Sequence, residues 1–112
     1  MRALVMEGFG ATDQVRIGDM PIPVAGPEDV LVKMAGAGVN PTDYKEIQSY
    51  LGAFYPPYEG QWIPGHDGAG IIEQVGSNVR KCSAGDRVLF ISNRQIGLQS
   101  GTFAEYALVS AR

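Results

Sequence analysis

The sequence holds one cysteine, one histidine and one tryptophan in 112 residues. Each scarcity excludes something. A lone Cys82 forms no disulfide within the chain and supplies no thiolate cluster for zinc. A lone His66 excludes paired-histidine metal motifs and any serine–histidine arrangement with a second histidine in reserve. Positive charge is also short. Nine Lys and Arg stand against twelve Asp and Glu, a net charge of -3, so the basic footprint of a nucleic-acid binder is missing. No apolar run approaches the ~20 residues that span a bilayer. The opening run Ala3-Leu4-Val5-Met6 is cut by Glu7, too soon for a signal-peptide core. These absences predict one cytoplasmic domain over residues 1–112, with neither a membrane nor nucleic acid as partner.

Glycine and proline, in contrast, are plentiful at 15 and 7 residues, and apolar residues make up 45% against 19% charged. Many turns among good β-formers predict a small, mainly β sandwich or barrel. Arg2–Glu7 and Val15–Asp19 read as strands. The prolines at 21 and 23 confine the next stretch to an edge or connector. Asp29–Val39 is the longest strand candidate, with Val30, Val32 and Met34 on one face and Leu31, Lys33 and Ala35 on the other. Gly36 and Gly38 mark a bulge or a close approach to the backbone. The one clear helix starts at Asn40-Pro41-Thr42-Asp43: a favoured N-cap, a proline pre-set in φ, and an acid in the first turn. Tyr44, Ile47 and Leu51 then share a face, and Gly52 ends it. Residues 53–64 read as an irregular loop and Gly65–Gly70 as a glycine-rich turn. Ile71–Val75, Arg87–Ser92 and Thr102–Val109 follow as strands.

The glycine clusters raise the question of a phosphate cradle. Gly36-x-Gly38 and Gly68-x-Gly70 both fail G-x-G-x-x-G, since Pro41 and Glu73 stand where the third glycine belongs. The second cluster also leads into a strand, so no helix N-terminus faces a pyrophosphate. Six segments carry a different signal: Asp29-Val-Leu-Val-Lys33, Gly38-Val-Asn-Pro-Thr-Asp-Tyr-Lys45, Pro64-Gly-His-Asp-Gly-Ala-Gly70, Val75-Gly-Ser-Asn-Val79, Ala84-Gly-Asp-Arg-Val88 and Gly101-Thr-Phe-Ala-Glu-Tyr106. In this order and spacing they resemble the N-terminal, GroES-like catalytic domain of the medium-chain dehydrogenase/reductase superfamily, over essentially the whole chain. The resemblance implies a partly open GroES-like β-barrel with one or two short helices, and no Rossmann domain in this chain. It points to the zinc-free quinone oxidoreductase and enone reductase branch. Asn40 stands where zinc alcohol dehydrogenases have a cysteine ligand, and Asp67 where they have a glutamate. The four-cysteine structural lobe has no counterpart. No metal is therefore expected, because a catalytic zinc needs three protein ligands.

The resemblance implies the substrate half of an NADPH-dependent reductase of quinones or α,β-unsaturated ketones, inactive without its cofactor-binding domain. Lys45 and Asn40 are the catalytic candidates, with Asn40 also beside the cofactor. An ammonium at Lys45 can stabilise an enolate oxygen; its plain alternative is a solvated lysine, and that of Asn40 a helix cap. Tyr44, Tyr50 and Tyr58, flat rings with polar tips, are the substrate-binding candidates together with His66. The plain alternatives are a loop packed on its own rings and a structural histidine. Asp67 is expected to satisfy nearby turn N–H groups, and Cys82 to be a surface thiol. Partners implied are a small planar carbonyl or quinone, a separate Rossmann-domain polypeptide, or self-association. The competing readings are a non-enzymatic binding or assembly module on the same barrel and, by fold analogy alone, a co-chaperonin-like ring.

Overall fold

The structure is a computed structural model and describes residues 1–48, 60–91 and 101–111. Its strands are β1 (Arg2–Glu7), β2 (Arg16–Asp19), β3 (Asp29–Gly36), β4 (Gln61–Trp62), β5 (Asp67–Val75), β6 (Arg87–Ile91) and β7 (Tyr106–Ser110). A 3-10 turn, Thr12–Gln14, and one helix, α1 (Pro41–Ile47), complete the elements. All pairings are antiparallel and form two sheets, β2-β1-β4 and β6-β5-β3-β7. Among the described residues the sheets do not close into one continuous barrel, in keeping with the partly open form expected.

The segment before β7 joins the sheets. Leu4 N–H donates to the Phe103 carbonyl at 2.8 Å, Glu105 N–H to that of Arg2 at 3.2 Å, and Met34 N–H to that of Glu105 at 2.9 Å. One stretch of backbone thus serves β1 on one side and β3 on the other, leaving few orphan amides where the sheets meet.

Alternation on β3 works as the sequence predicts. Val30, Val32 and Met34 pack with Ile72, Val88, Phe90 and Val109 inside the four-stranded sheet. Cys82 packs against this cluster too, half-buried where a surface thiol was expected. Leu31 is buried on the opposite face, whereas Lys33 on that same face is exposed. A second cluster joins Ala3, Val5 and Ile63, and a third joins Met6, Ile47 and Trp62. Trp62 is fully buried; its Nε1 donates to the Gly8 carbonyl at 2.6 Å and Phe9 meets its ring edge-on.

Several boundaries differ from the sequence reading. Helix α1 ends at Ile47 with Gln48 as its C-cap, short of Gly52. β7 begins at Tyr106, not Thr102, because the amides of Thr102, Phe103 and Glu105 bond to the carbonyls of Gly65, Pro64 and Arg2. β3 ends at Gly36, not Val39, because its register slips between Met34 and Gly36 and residues 38–40 bond elsewhere. β5 begins at Asp67, inside the glycine run taken for a turn. A Cβ at Gly70 would lie 2.2 Å from the Lys33 carbonyl oxygen, so the glycine permits β3 and β5 to approach closely. Here glycine continues a strand instead of breaking it.

Candidate functional site

Helix α1 is short, and its position is set by two adjacent residues at the start of β5. At its N-terminus Asn40 and Asp43 form a capping box, with the Asp43 carboxylate accepting the Asn40 backbone N–H at 2.7 Å. Asp67 reaches the same point from across the sheet. Its Oδ1 accepts the Gly38 N–H at 2.8 Å, and its Oδ2 accepts the Asn40 Nδ2–H at 3.1 Å. A Cβ at Gly38 would sit 2.5 Å from Asp67 Oδ1, so this approach requires glycine there.

One residue earlier, His66 holds the body of the helix. Its Nε2 lies 2.6 Å from Glu46 Oε2, and its Nδ1 lies 3.9 Å from Asp43 Oδ1. Asp43 and Glu46 are 2% and 3% exposed. Carboxylates so buried are costly unless matched by a donor or a cation, and the imidazole supplies that match for Glu46. Asp43 Oδ1 is buried without a hydrogen-bond partner. No group of three or more His, Cys, Asp or Glu among the described residues is arranged to hold a metal.

The other side of α1 borders a cavity of about 710 Å³. Its walls are mostly apolar: Met34, Val39, Tyr44, Ile47 and Phe103 face it, with Asp43 and Thr102 among the few polar contributors. A concave, largely apolar space of this size matches sites for small organic ligands.

The structure places the sequence candidates unequally. Tyr44 lies on the cavity wall, 45% exposed. Lys45 is exposed on α1, with no hydrogen bond or ion pair among the described residues. Asn40 sits at the N-cap with its amide committed to Asp67. His66 belongs to the buried acid cluster. Lys45, Asn40 and His66 are not part of the described cavity wall. Tyr50 and Tyr58 lie outside the described residues. Asp67 is the residue whose role the sequence concealed: its partners come from 29 and 27 residues away, not from its own turn. The short polar run Asn40–Asp43, with glycine two residues before it, was the available signal.

Comparison with known proteins agrees with this architecture. Residues 26–112 match the alcohol dehydrogenase GroES-like domain family. The quinone oxidoreductase of Lama guanicoe is 37% identical over 112 residues, a match covering 98% of this chain and 31% of the relative. The NADPH-dependent alkenal/one oxidoreductase, chloroplastic, of Arabidopsis thaliana is 31% identical over 116 residues, covering 100% of this chain and 30% of the relative. The solved quinone oxidoreductase from Coxiella burnetii superposes with a TM-score of 0.79 at 27% identity, over 98% of this chain and 34% of that one. This chain therefore spans about a third of the length of these relatives. Fold, segment order and similarity together make it a member of the alcohol dehydrogenase GroES-like domain family, in the quinone oxidoreductase branch of the medium-chain dehydrogenase/reductase superfamily.

Proposed function

We propose that this chain forms the substrate side of an NADPH-dependent reductase of quinones or α,β-unsaturated carbonyls. The observation that carries the reading is the state of Lys45. It is a solvent-facing ammonium, paired with no carboxylate among the described residues, one turn beyond an N-cap held rigidly in place. An uncommitted cation on a fixed helix is suited to a carbonyl oxygen that gains negative charge during reduction. The Arabidopsis relative, whose name specifies alkenals and alkenones, lends the substrate class.

The described residues offer no cradle for a dinucleotide. Gly68 and Gly70 are spent inside the sheet against Met34 and the Lys33 carbonyl, and β5, not a helix, follows them. The cofactor belongs to the other half of the cleft, so this chain's contribution is positional and electrostatic. Without that half, the alignment of reactants that dominates such catalysis is missing, and the isolated chain is expected to be inactive. Tyr44 and the apolar wall beside it would exclude water on the substrate side.

The test is a chimera in which this chain replaces the matching first third of the Lama guanicoe quinone oxidoreductase. A chimera that is folded by circular dichroism and binds NADPH should reduce an alkenone. Lys45→Ala should then lower kcat by about 10²-fold, the scale of losing one oxyanion donor, and Lys45→Arg should retain most of it. A folded, NADPH-binding chimera that reduces neither an alkenone nor a benzoquinone would overturn the reading.

A further inference from the structure

The two hydrogen bonds of Asp67 determine more than packing. An ionised carboxylate only accepts hydrogen bonds. The Asn40 carboxamide facing Asp67 Oδ2 at 3.1 Å must therefore present its nitrogen, and its oxygen must turn away. At the same time Asp67 Oδ1 ties down the Gly38 N–H, two residues upstream. One side chain thus fixes both the path of the backbone into α1 and the sense of the first polar side chain on it. Neither contact is available to a longer carboxylate without displacement, because the backbone at Gly38 already lies where only a missing Cβ leaves room.

We infer that Asp67 is the positioning residue of this site. It sets the direction of the Asn40 carboxamide and the point at which α1, with Tyr44 and Lys45, leaves the sheet. His66 next to it secures the same helix through Glu46, so the start of β5 clamps α1 at two levels. The inference rests on the proposed reductase role for its functional consequence, but its structural content stands apart from it. One N–H of the Asn40 NH2 is committed to Asp67 and the second remains for a ligand, while Lys45 is exposed five residues further along. The site would thus divide its labour, with Lys45 serving carbonyl oxygens and Asn40 held as an oriented support.

Three variants test this. Asp67→Asn keeps the shape but leaves a single acceptor oxygen, which can serve the Gly38 N–H or the Asn40 NH2 but not both, so one of the two bonds is lost. Gly38→Ala drives a Cβ against Asp67 Oδ1 from the opposite side without altering either amide partner. The exchange Asn40→Asp with Asp67→Asn reverses donor and acceptor and restores the bond, while aspartate remains a good N-cap. The readout on the 112-residue chain is 15N NMR: the side-chain NH2 resonances of Asn40 and hydrogen exchange at the Gly38 amide. In Asp67→Asn we expect either the Asn40 NH2 pair to shift or exchange at residue 38 to quicken, according to which donor the single oxygen keeps. In Gly38→Ala we expect exchange at residue 38 to quicken at least tenfold. The double exchange should return residue 38 to the protection of the native chain. Unmoved Asn40 NH2 resonances together with unchanged exchange at residue 38 in Asp67→Asn, with the chain still folded, overturn the inference. In the chimera, Asp67→Asn should reduce kcat about tenfold with KM within about twofold. Equal kcat there, beside the NMR shift, overturns the functional half of the inference. Failure of the unmutated chimera to turn over bears on the reductase reading alone.

Discussion

The four-stranded sheet and the corner at α1 are held together by opposite means. In the sheet, Val30, Val32, Ile72 and Val109 pack by apolar contact, and their partners are apolar side chains. At the corner, the buried carboxylates of Asp43 and Glu46, the half-buried carboxylate of Asp67, one imidazole and one carboxamide lock a seven-residue helix that would be marginal alone. The sheet tolerates a change of one hydrocarbon for another of similar volume. The corner is least forgiving where His66 meets Glu46, because removing the imidazole takes from a buried carboxylate a partner 2.6 Å away. The difference teaches where precision is invested: the region that carries the candidate site is the one fixed by directional bonds.

The largest expected effect lies in the sheet. Ile72→Ala should cost about 4 kcal/mol in urea unfolding, the loss for a fully buried aliphatic side chain. His66→Ala should follow at about 3 kcal/mol, because Glu46 loses the imidazole beside it while remaining buried. The two regions then separate in double variants. Replacing both Glu46 and His66 with apolar residues of similar volume should be less destabilising than His66→Ala alone, since no charge is left stranded. Ile72→Ala combined with Val109→Ala should be more destabilising than either. An additive result at the corner would erase the contrast between the two regions.

The smallest effect belongs to the surface. Glu105 accepts the Arg2 backbone N–H at 2.9 Å and sits 3.4 Å from the Arg2 guanidinium. The backbone bond first, and then the guanidinium, hold its carboxyl below the usual glutamate range. A lowered folded-state value means the stabilisation is complete above the ordinary carboxylate range and is lost as pH falls through the folded-state value. Arg2→Ala should raise the Glu105 titration midpoint only part of the way in a 13C NMR titration, because the backbone donor remains. A full return would show that the guanidinium was the main cause.

Elements governed by local rules were readable in the sequence. β1 runs from Arg2 to Glu7 as its apolar run implied, and α1 starts after Asn40 as its cap and proline implied. Elements governed by distant partners were not. Gln61–Trp62 is a two-residue strand that exists only through pairing with Met6 and Glu7. The start of β5 was hidden because glycine signals a turn locally and close packing only in the presence of β3. At the site, the capping role of Asn40 was legible from its neighbours, whereas Lys45 could be singled out only through the family resemblance. The bonds of Asp67 span nearly thirty residues and leave no periodicity to detect.

The position of β3 has a consequence for how the chain reaches this state. The strand is complete at Gly36, yet its two flanks are β5 and β7, drawn from residues 67–75 and 106–110. Until Tyr106–Ser110 arrives, one whole edge of the most apolar strand stays open to other chains. Such non-local closure slows folding and lengthens exposure to misassembly. During synthesis the domain should therefore behave as a single late event, with a chain ending before Tyr106 capturing an apolar dye that the longer chain refuses.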